Sequence, residues 1–401
     1  MLRIVNANFL NYRCEMFDRL IKRRLLKSLA KTAYGSLTIE LQNGEVFCFK
    51  GINPGLDVDI KLLDLRVVAN VTIKGDVGFA EDYRDGYWTT SDLEKLIRFG
   101  FQNDELFSQY GNGGVIFKQL SKILYLTKRN NLKGSKKNIQ AHYDLGNDFY
   151  KLWLDPSMTY SSAMFTYPEQ CLTEAQHQKY DRLISKFTKS NASVLEVGCG
   201  WGGFAERAID KGHSVKCITL SNEQANYAKN RLPEANAQIV IEDYRKQQGK
   251  YDYIVSIEML EAVGQKFWPV YFNKLKELLK PGGKILLQTI TIADDMFKQY
   301  TKNADMIRTF IFPGGMLPSE LELNRQFKKT GLICSDIYRF GQDYALTIRH
   351  WLKAFDNAYK DVKSLGFDDG FIRLWRFYLA ACSAGFDAGR INVVQMEITH
   401  A

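Results

Sequence analysis

A glycine-rich turn between a short apolar strand and a helix constrains the fold of this chain more than any other feature. Residues 194–197 form the strand, Gly198, Gly200 and Gly202 follow at alternate positions, and a helix begins at Phe204. Because glycine has no Cβ, backbone of this kind can turn sharply and can approach a bound ligand closely. The turn therefore predicts a strand–loop–helix unit with a ligand site at the carboxyl end of its strand.

Strands and helices alternate after this turn. Further strands are predicted at residues 214–220, 239–241, 253–257, 284–291 and 392–399, and helices at 222–231 and 269–279. Repeated β-α-β units imply a parallel sheet covered by helices on both faces. The predicted fold class is α/β.

The residues before this region read differently, as a smaller α+β domain. Apolar and polar residues alternate over residues 36–49, which predicts a hairpin with Asn43-Gly44 at its turn. Residues 65–73 are predicted to form a strand. Helices are predicted at residues 91–101, with Ser91 as N-cap and Glu94 completing a capping box, and at 115–126. We therefore predict three segments: an N-terminal domain at 1–125, a basic linker at 126–138 and a catalytic domain at 139–401.

Positive charge is concentrated in two short segments. The 401 residues carry a net charge of +9. Residues 1–34 hold eight basic and two acidic side chains, and residues 121–137 hold six basic and no acidic ones. The first segment is predicted to be an amphipathic helix, which either lies on an anionic membrane surface or docks with a solvated basic face. We expect a phospholipid partner at such a surface and no nucleic acid; the sequence does not determine the oligomeric state, and a homodimer is one option.

Cysteine usage and hydropathy indicate the compartment. The seven cysteines are scattered, without a Cys-x-x-Cys pair, so neither a disulfide framework nor a metal site is predicted. No apolar run approaches the roughly 18 residues of a membrane span, and the first residues do not read as a signal peptide. A cytoplasmic protein in peripheral contact with the inner face of the membrane is expected.

The glycine turn has an acid two residues before its first glycine. The run Glu196-Val-Gly-Cys-Gly-Trp-Gly resembles the first motif of the class I methyltransferases that use S-adenosylmethionine. The resemblance implies a Rossmann-like sheet and this cofactor. The second strand ends without the expected acid, but Thr219 and Gln224 can hydrogen-bond a ribose, and Glu223 is an alternative.

Ten separated segments resemble the cyclopropane-fatty-acyl-phospholipid synthases. They are residues 78–88, 141–150, 153–155, 158–165, 195–203, 219–224, 258–264, 310–318, 340–344 and 378–386. The resemblance covers nearly the whole chain. It implies transfer of a methyl group from S-adenosylmethionine to the cis double bond of an unsaturated phospholipid acyl chain, followed by proton loss that closes a cyclopropane.

The same resemblance implies the site residues. In the family a bound bicarbonate stabilises the carbocation, which places its ligands here at Glu261, Tyr344 and the amide of Ile290. Ser162 and Gln288 stand where the family has Cys and His, so bicarbonate and ring closure are the open points of the prediction. The residues predicted to bind the cofactor are Tyr160, Ser161, Glu196, Gly198, Gly200, Gly202, Thr219, Leu220, Gln224, Tyr244 and Arg245.

Alternative functions remain open on the sequence alone. A related enzyme could lose a different proton and leave a methylene or methyl branch, or could methylate a small amine. A non-catalytic lipid-binding protein that retains the fold is a third alternative, and the basic pI suggests an RNA methyltransferase as a fourth. The lipid-type N-terminal segment argues against a small amine, and the intact glycines and Glu261 argue against a non-catalytic protein.

Overall fold

The computed structural model describes residues 22–23, 25–106, 145–303 and 305–401. The chain divides into two compact units, one comprising Met1–Ser121 with Phe367–Ala384 and the other Lys122–Gly366 with Gly385–Ala401. The predicted helix at 115–126, the linker at 126–138 and most of the basic N-terminal helix lie outside the described residues. The predicted domain boundaries stay a prediction.

A small mixed sheet organises the first unit. Its elements are β1 (Tyr34–Leu41), β2 (Val46–Lys50), β3 (Asn53–Leu62), α1 (Arg66–Lys74), α2 (Asp76–Arg84), β4 (Trp88–Thr89) and α3 (Leu93–Gln102). The strand order is β2-β1-β3-β4, with β1 antiparallel to β2 and parallel to β3. The predicted hairpin is confirmed: Gly44 has a φ of +82° at its turn, and Leu37, Ile39 and Leu41 point into the core.

Two local predictions for this unit are wrong. Residues 65–73 form helix α1 rather than a strand, although Val and Ile favour strands locally. Tertiary contacts override that preference: α1 packs against α2, and Asn70 donates a 2.8 Å hydrogen bond to Asp82. The N-cap of α3 is Asp92, which accepts from the Lys95 amide at 2.9 Å, because the Ser91 hydroxyl is engaged with Asp59.

A seven-stranded sheet organises the second unit. Its strands are β5 (Ser193–Val197), β6 (Ser214–Thr219), β7 (Ala237–Ile241), β8 (Tyr251–Ile257), β9 (Leu279–Ile292), β10 (Leu332–Arg339) and β11 (Ile391–His400). Its helices are α4 (Asn147–Lys151), α5 (Leu172–Ile184), α6 (Gly203–Asp210), α7 (Asn222–Arg231), α8 (Trp268–Leu278), α9 (Asp294–Tyr300), α10 (Glu320–Thr330), α11 (Gly341–Asn357) and α12 (Tyr359–Ser364). Helix α13 (Asp369–Asp387) runs from the first unit into the second.

The strand order is β10-β11-β9-β8-β5-β6-β7. Strands β5 to β9 are mutually parallel where they pair, and β11 runs antiparallel to both its neighbours. The predicted alternation of strands and helices is confirmed, whereas β10 has no counterpart in the prediction. The carboxyl ends of β5, β6 and β8 meet at one edge, where ligands bind in open sheets of this kind.

Apolar side chains pack on both faces of this sheet, which agrees with the nearly continuous hydrophobic sequence of its strands. Leu195 and Val197 of β5 pack into one core cluster, and Val194, which precedes them on the same strand, belongs to the other cluster with Val255 and Leu286. This double burial fixes the sheet and therefore the loops at its edge. Among the described residues, no helix combines the length and apolar character that crossing a bilayer requires.

Candidate active site

The glycine loop that joins β5 to α6 has the conformation that only glycine adopts readily. Gly198, Gly200 and Gly202 have φ values of +84°, +52° and +87°. A Cβ at Gly198 would lie 2.8 Å from the Cγ of Met259, whereas a Cβ at Gly200 would meet nothing within 4 Å. The space beside Gly200 is therefore open, as a loop that receives a cofactor requires.

Polar side chains meet at the end of the next strand. The Thr219 hydroxyl donates a 3.0 Å hydrogen bond to Gln224 Oε1, and both residues are buried. Ser221 caps α7 and places Gln224 in its first turn, with Leu220 just before the cap. Glu223 is directed elsewhere, since it accepts a 3.4 Å hydrogen bond from Asn147. The pair predicted to bind ribose is thus assembled, although no described contact connects Glu223 to it.

Two of the other predicted cofactor residues lie at the third strand. Tyr244 is buried in the 3₁₀ turn after β7, and Arg245 pairs with Asp243 through two hydrogen bonds of 2.7 and 2.5 Å. This ion pair holds the turn that carries both residues. Desolvation raises the pKa of Tyr244 to about 12, so its hydroxyl is neutral at physiological pH.

Tyr160 and Ser161 lie in a loop before α5. Tyr160 packs among aromatic rings, with centroids 5.4 Å from both Trp153 and Trp351. The Ser161 hydroxyl accepts a 2.7 Å hydrogen bond from Lys179 Nζ. The tyrosine is thus fixed by packing, and the serine hydroxyl is oriented by the buried Lys179 side chain.

Glu196 is deeply buried in β5. Its side chain accepts a long contact of 3.8 Å from the Cys217 thiol on the adjacent strand, and the residue is only 3% exposed. Burial raises the pKa of Glu196 to about 8. Its assignment to the cofactor stays a prediction.

Glu261 lies in the 3₁₀ turn Leu260–Ala262 that follows β8. Its Oε1 accepts hydrogen bonds from the Ile290 amide at 2.6 Å and from the Thr289 hydroxyl at 2.9 Å. Among the described residues, its Oε2 has no hydrogen-bond partner. Burial, together with the nearby charge of Glu258, raises the pKa of Glu261 to about 8. The predicted pair of Glu261 and Ile290 is thus in contact.

A second carboxylate, that of Glu258, was not predicted as a site residue. It follows the last residue of β8 and accepts three hydrogen bonds, from the Tyr344 hydroxyl at 2.5 Å, Gln288 Nε2 at 2.8 Å and the Ser162 amide at 2.9 Å. The Ser162 hydroxyl instead donates to the Ala163 carbonyl at 2.8 Å. Three of the five residues predicted to form the catalytic site therefore converge on Glu258.

A chain of amides orients Gln288 toward this carboxylate. Gln395 Nε2 donates to Gln288 Oε1 at 2.9 Å, which leaves the Nε2 of Gln288 to face Glu258. Arg182 in turn donates to Gln395 Oε1 at 2.9 Å, which fixes the Gln395 amide. Gln288 and Gln395 are almost fully buried. The hydrogen bonds from neighbouring side chains thus determine which amide atom of Gln288 and of Gln395 is the oxygen and which is the nitrogen.

A buried lysine, Lys179, lies near the carboxylates and interacts electrostatically with Glu258. Lys179 of α5 has no exposed surface and donates to Ser161 Oγ and Gln176 Oε1, each at 2.7 Å. Burial lowers the pKa of Lys179 to about 7, and the charge of Glu258 opposes this effect. Burial raises the pKa of Glu258, and the hydrogen bond from Tyr344 and the charge of Lys179 oppose it. The ionised state of Glu258 therefore depends on its donors and on Lys179.

Sequence reasoning could have found Glu258 from its position. It comes directly after a buried strand and three residues before Glu261, at the edge where parallel strands end. Among the described residues, no three His, Cys, Asp or Glu side chains are grouped as metal ligands. The arrangement is suited to holding negative charge beside a reacting group in a largely dry site.

Sequence comparison shows which known proteins this chain resembles. Residues 130–396 match the family described as mycolic acid cyclopropane synthetase. The tuberculostearic acid methyltransferase UfaA1 of Mycobacterium tuberculosis is 35% identical over 345 residues, which cover 81% of this chain and 79% of the relative. The cyclopropane-fatty-acyl-phospholipid synthase of Escherichia coli is 33% identical over 357 residues, which cover 86% of this chain and 88% of the relative.

A solved structure agrees with the fold. The mycolic acid cyclopropane synthase CmaA1, in complex with SAH and CTAB, superimposes with a TM-score of 0.62 at 30% identity, over 66% of this chain and 97% of that chain. The predicted Rossmann-like class I methyltransferase sheet is confirmed by this match and by the strand order. The prediction of S-adenosylmethionine as cofactor is likewise confirmed.

Proposed function

The chain belongs to the mycolic acid cyclopropane synthetase family, and on that premise we propose that it methylates the cis double bond of an unsaturated phospholipid acyl chain and closes a cyclopropane there. As a member of the family it is an S-adenosylmethionine-dependent methyltransferase that acts on lipid chains. The acyl substrate in a phospholipid and the cyclopropane product are the proposed part.

The observation that carries the proposal is the pair of carboxylates, Glu258 and Glu261, at the edge of the sheet beside the glycine loop. Both are half-buried, and Met259 between them is the neighbour that a Cβ at Gly198 would strike. Methyl transfer to an alkene needs no activated nucleophile, but it creates a carbocation. Fixed negative charge in a water-poor site stabilises such a cation, and exclusion of water prevents its capture.

The proposed reaction balances without a further reagent. The π electrons of the alkene form a bond to the methyl carbon, and the carbon–sulfur bond breaks to leave neutral S-adenosylhomocysteine. A proton then leaves the new methyl group, and its C–H electron pair forms the third side of the ring. The protein has to supply an acceptor for that proton.

A branched product is the second candidate, favoured by the similarity to the tuberculostearic acid methyltransferase. The methyl transfer is the same in this case. A hydride first shifts from the methyl-bearing carbon to the neighbouring cationic carbon. The new methyl group then loses a proton, and its C–H electron pair forms the double bond of a methylene branch. Whether the hydride shifts before the proton is lost decides between the two products.

The reaction is tested with vesicles of unsaturated phospholipid and methyl-labelled S-adenosylmethionine. We expect label in the acyl chains, which mass spectrometry detects, and cyclopropane protons in the NMR spectrum of the extracted lipid. Signals of a methylene branch would favour the second candidate. Label found only in added small amines, or in no product at all, would contradict both.

The membrane is the proposed partner, and contact with its inner, cytoplasmic face is the proposed location. Several bases of the N-terminal segment fall within the described residues, and Lys22 is already paired with Glu45, which reduces its free charge. Each base near an anionic surface contributes about 1 kcal/mol. Changing Lys22, Arg23, Arg24 and Lys27 to Glu should therefore weaken binding to anionic vesicles at least about 100-fold.

Flotation of the protein with anionic vesicles measures this effect. The wild type should lose binding as salt is raised, because screening weakens exposed charges. Changing the exposed pair Lys328 and Lys329 to Glu is the matched control and should leave flotation nearly unchanged. Equal flotation of the wild type and the four-residue variant would show that the segment does not bind the membrane.

A further inference from the structure

The groups predicted to hold bicarbonate already bind a side chain of the protein itself. The Tyr344 hydroxyl, Gln288 Nε2 and the Ser162 amide all donate to Glu258, at 2.5, 2.8 and 2.9 Å. The remaining two members of the predicted set, Glu261 and the Ile290 amide, bind each other at 2.6 Å. Within the described residues the donors of the predicted bicarbonate site are therefore occupied.

A carboxylate reproduces the chemistry that these donors require. Like bicarbonate, it carries a single negative charge and has hydrogen-bond-accepting oxygens on one carbon, and it accepts hydrogen bonds from neutral donors. A separate bicarbonate would bring a second anion next to the Glu258 carboxylate without displacing it. The described residues thus do not fit a free bicarbonate.

The backbone at Glu258 has a conformation that is unfavourable for this residue type. Its φ is +50°, in the left-handed region that residues with a Cβ seldom adopt. Its amide nevertheless donates a 2.8 Å hydrogen bond to the Gln288 carbonyl, so the strained turn is anchored to β9. Strain of this kind persists where the surrounding structure imposes it, often at functional sites.

We propose that Glu258 replaces bicarbonate as the anion of the site and accepts the proton released after methyl transfer, so that the enzyme works without added bicarbonate. This inference rests on the proposed function. In the step, a C–H bond of the methylated chain breaks, its electron pair forms the new carbon–carbon bond, and the proton binds a carboxylate oxygen of Glu258. Glu258 then releases the proton to solvent before the next turnover.

Turnover in buffer stripped of carbon dioxide tests the first consequence. The wild type should keep its rate within about twofold when bicarbonate is removed or added. Glu258→Gln should lower turnover about 10²–10³-fold, the range typical for loss of one well-placed electrostatic group, with cofactor affinity unchanged. Added bicarbonate should not restore this variant, because the glutamine still fills the site.

Glu258→Gly provides the sharper test, since it empties the site and suits the positive φ. Its turnover should fall to a similar degree and should recover at least about tenfold with millimolar bicarbonate or formate. Asn191→Gly is the matched control: Asn191 is exposed and has the same φ of +50°, so it tests the backbone effect alone. It should leave turnover and bicarbonate dependence unchanged.

A binding measurement separates this inference from the proposed function. With ¹³C-bicarbonate, NMR line broadening should detect binding to Glu258→Gly and not to the wild type, whatever lipid the enzyme modifies. Bicarbonate binding by the wild type, or a wild-type rate that falls more than about fivefold without bicarbonate, would overturn the inference. An enzyme inactive on every phospholipid, in which only Glu258→Gly binds bicarbonate, would overturn the proposed function and the proton transfer that rests on it, and would support only the placement of Glu258 in the anion site.

Discussion

Removal of one hydroxyl group should shift the pH dependence of the enzyme. Tyr344 is 6% exposed, and its ring stacks on Phe386 with centroids 4.4 Å apart. Tyr344→Phe therefore keeps the ring and removes the hydrogen bond that the hydroxyl donates to Glu258 Oε2 at 2.5 Å. The effect of this variant should fall on the protonation of Glu258.

The magnitude follows from the type of hydrogen bond. A hydrogen bond to a charged group contributes about 1.5–3 kcal/mol. One pKa unit corresponds to about 1.36 kcal/mol, so the loss is about 1–2 units. The bond favours the ionised carboxylate, and its removal therefore raises the pKa of Glu258 further above its ordinary value.

The assay is the pH profile of kcat/KM for methyl transfer, which reports the ionisations of the free enzyme. The acid limb should move upward by about 1–2 pH units, and activity well above it should change only a few-fold. Besides Tyr344, the titratable groups that act on Glu258 are Lys179 and Glu261. Tyr338→Phe, at an exposed tyrosine of β10, is the matched control and should leave the profile unchanged. A uniform fall in activity with an unmoved acid limb would refute the role assigned to Tyr344.

Three further perturbations test other parts of the site. Gly200→Val should weaken S-adenosylmethionine binding at least about 100-fold, measured by calorimetry, because its side chain fills the open space beside the loop. Gly282→Val is the control: Gly282 also has a positive φ and free space around it, and its substitution should not weaken binding. Glu261→Gln should lower turnover about 10²–10³-fold with cofactor affinity nearly unchanged, and wild-type turnover would disprove its role. Glu196 has a folded pKa of about 8, raised above its unfolded value, so the stability it contributes is complete below about pH 4 and is lost as pH rises toward 8. Glu196→Gln should therefore flatten the fall in Tm between pH 5 and 8, and parallel Tm curves for the two proteins would contradict this assignment.

Local sequence patterns determined the frame of the catalytic unit. The turn at Gly198, Gly200 and Gly202 requires positive φ values, and only glycine adopts them readily, so spacing alone located it. The strands of the sheet are buried on both faces, and their apolar runs were therefore visible in the sequence. Glu261 was likewise predicted at the ligand edge of the sheet, because it lies in the turn that follows a buried parallel strand; its catalytic role stays a prediction.

Tertiary structure decided what sequence patterns could not. Residues 65–73 have the composition of a strand, yet packing against α2 makes them helix α1. The role of Glu258 depends on donors at positions 162, 288 and 344, which come from three separate parts of the chain and meet only when the sheet has formed. Hydrogen-bond partners that are far apart in the sequence cannot be predicted from its periodicity, because periodicity shows only which face of a helix or strand is buried. The glycine turn could be predicted from local backbone chemistry, whereas the hydrogen-bond partners of Glu258 were decided by long-range contacts.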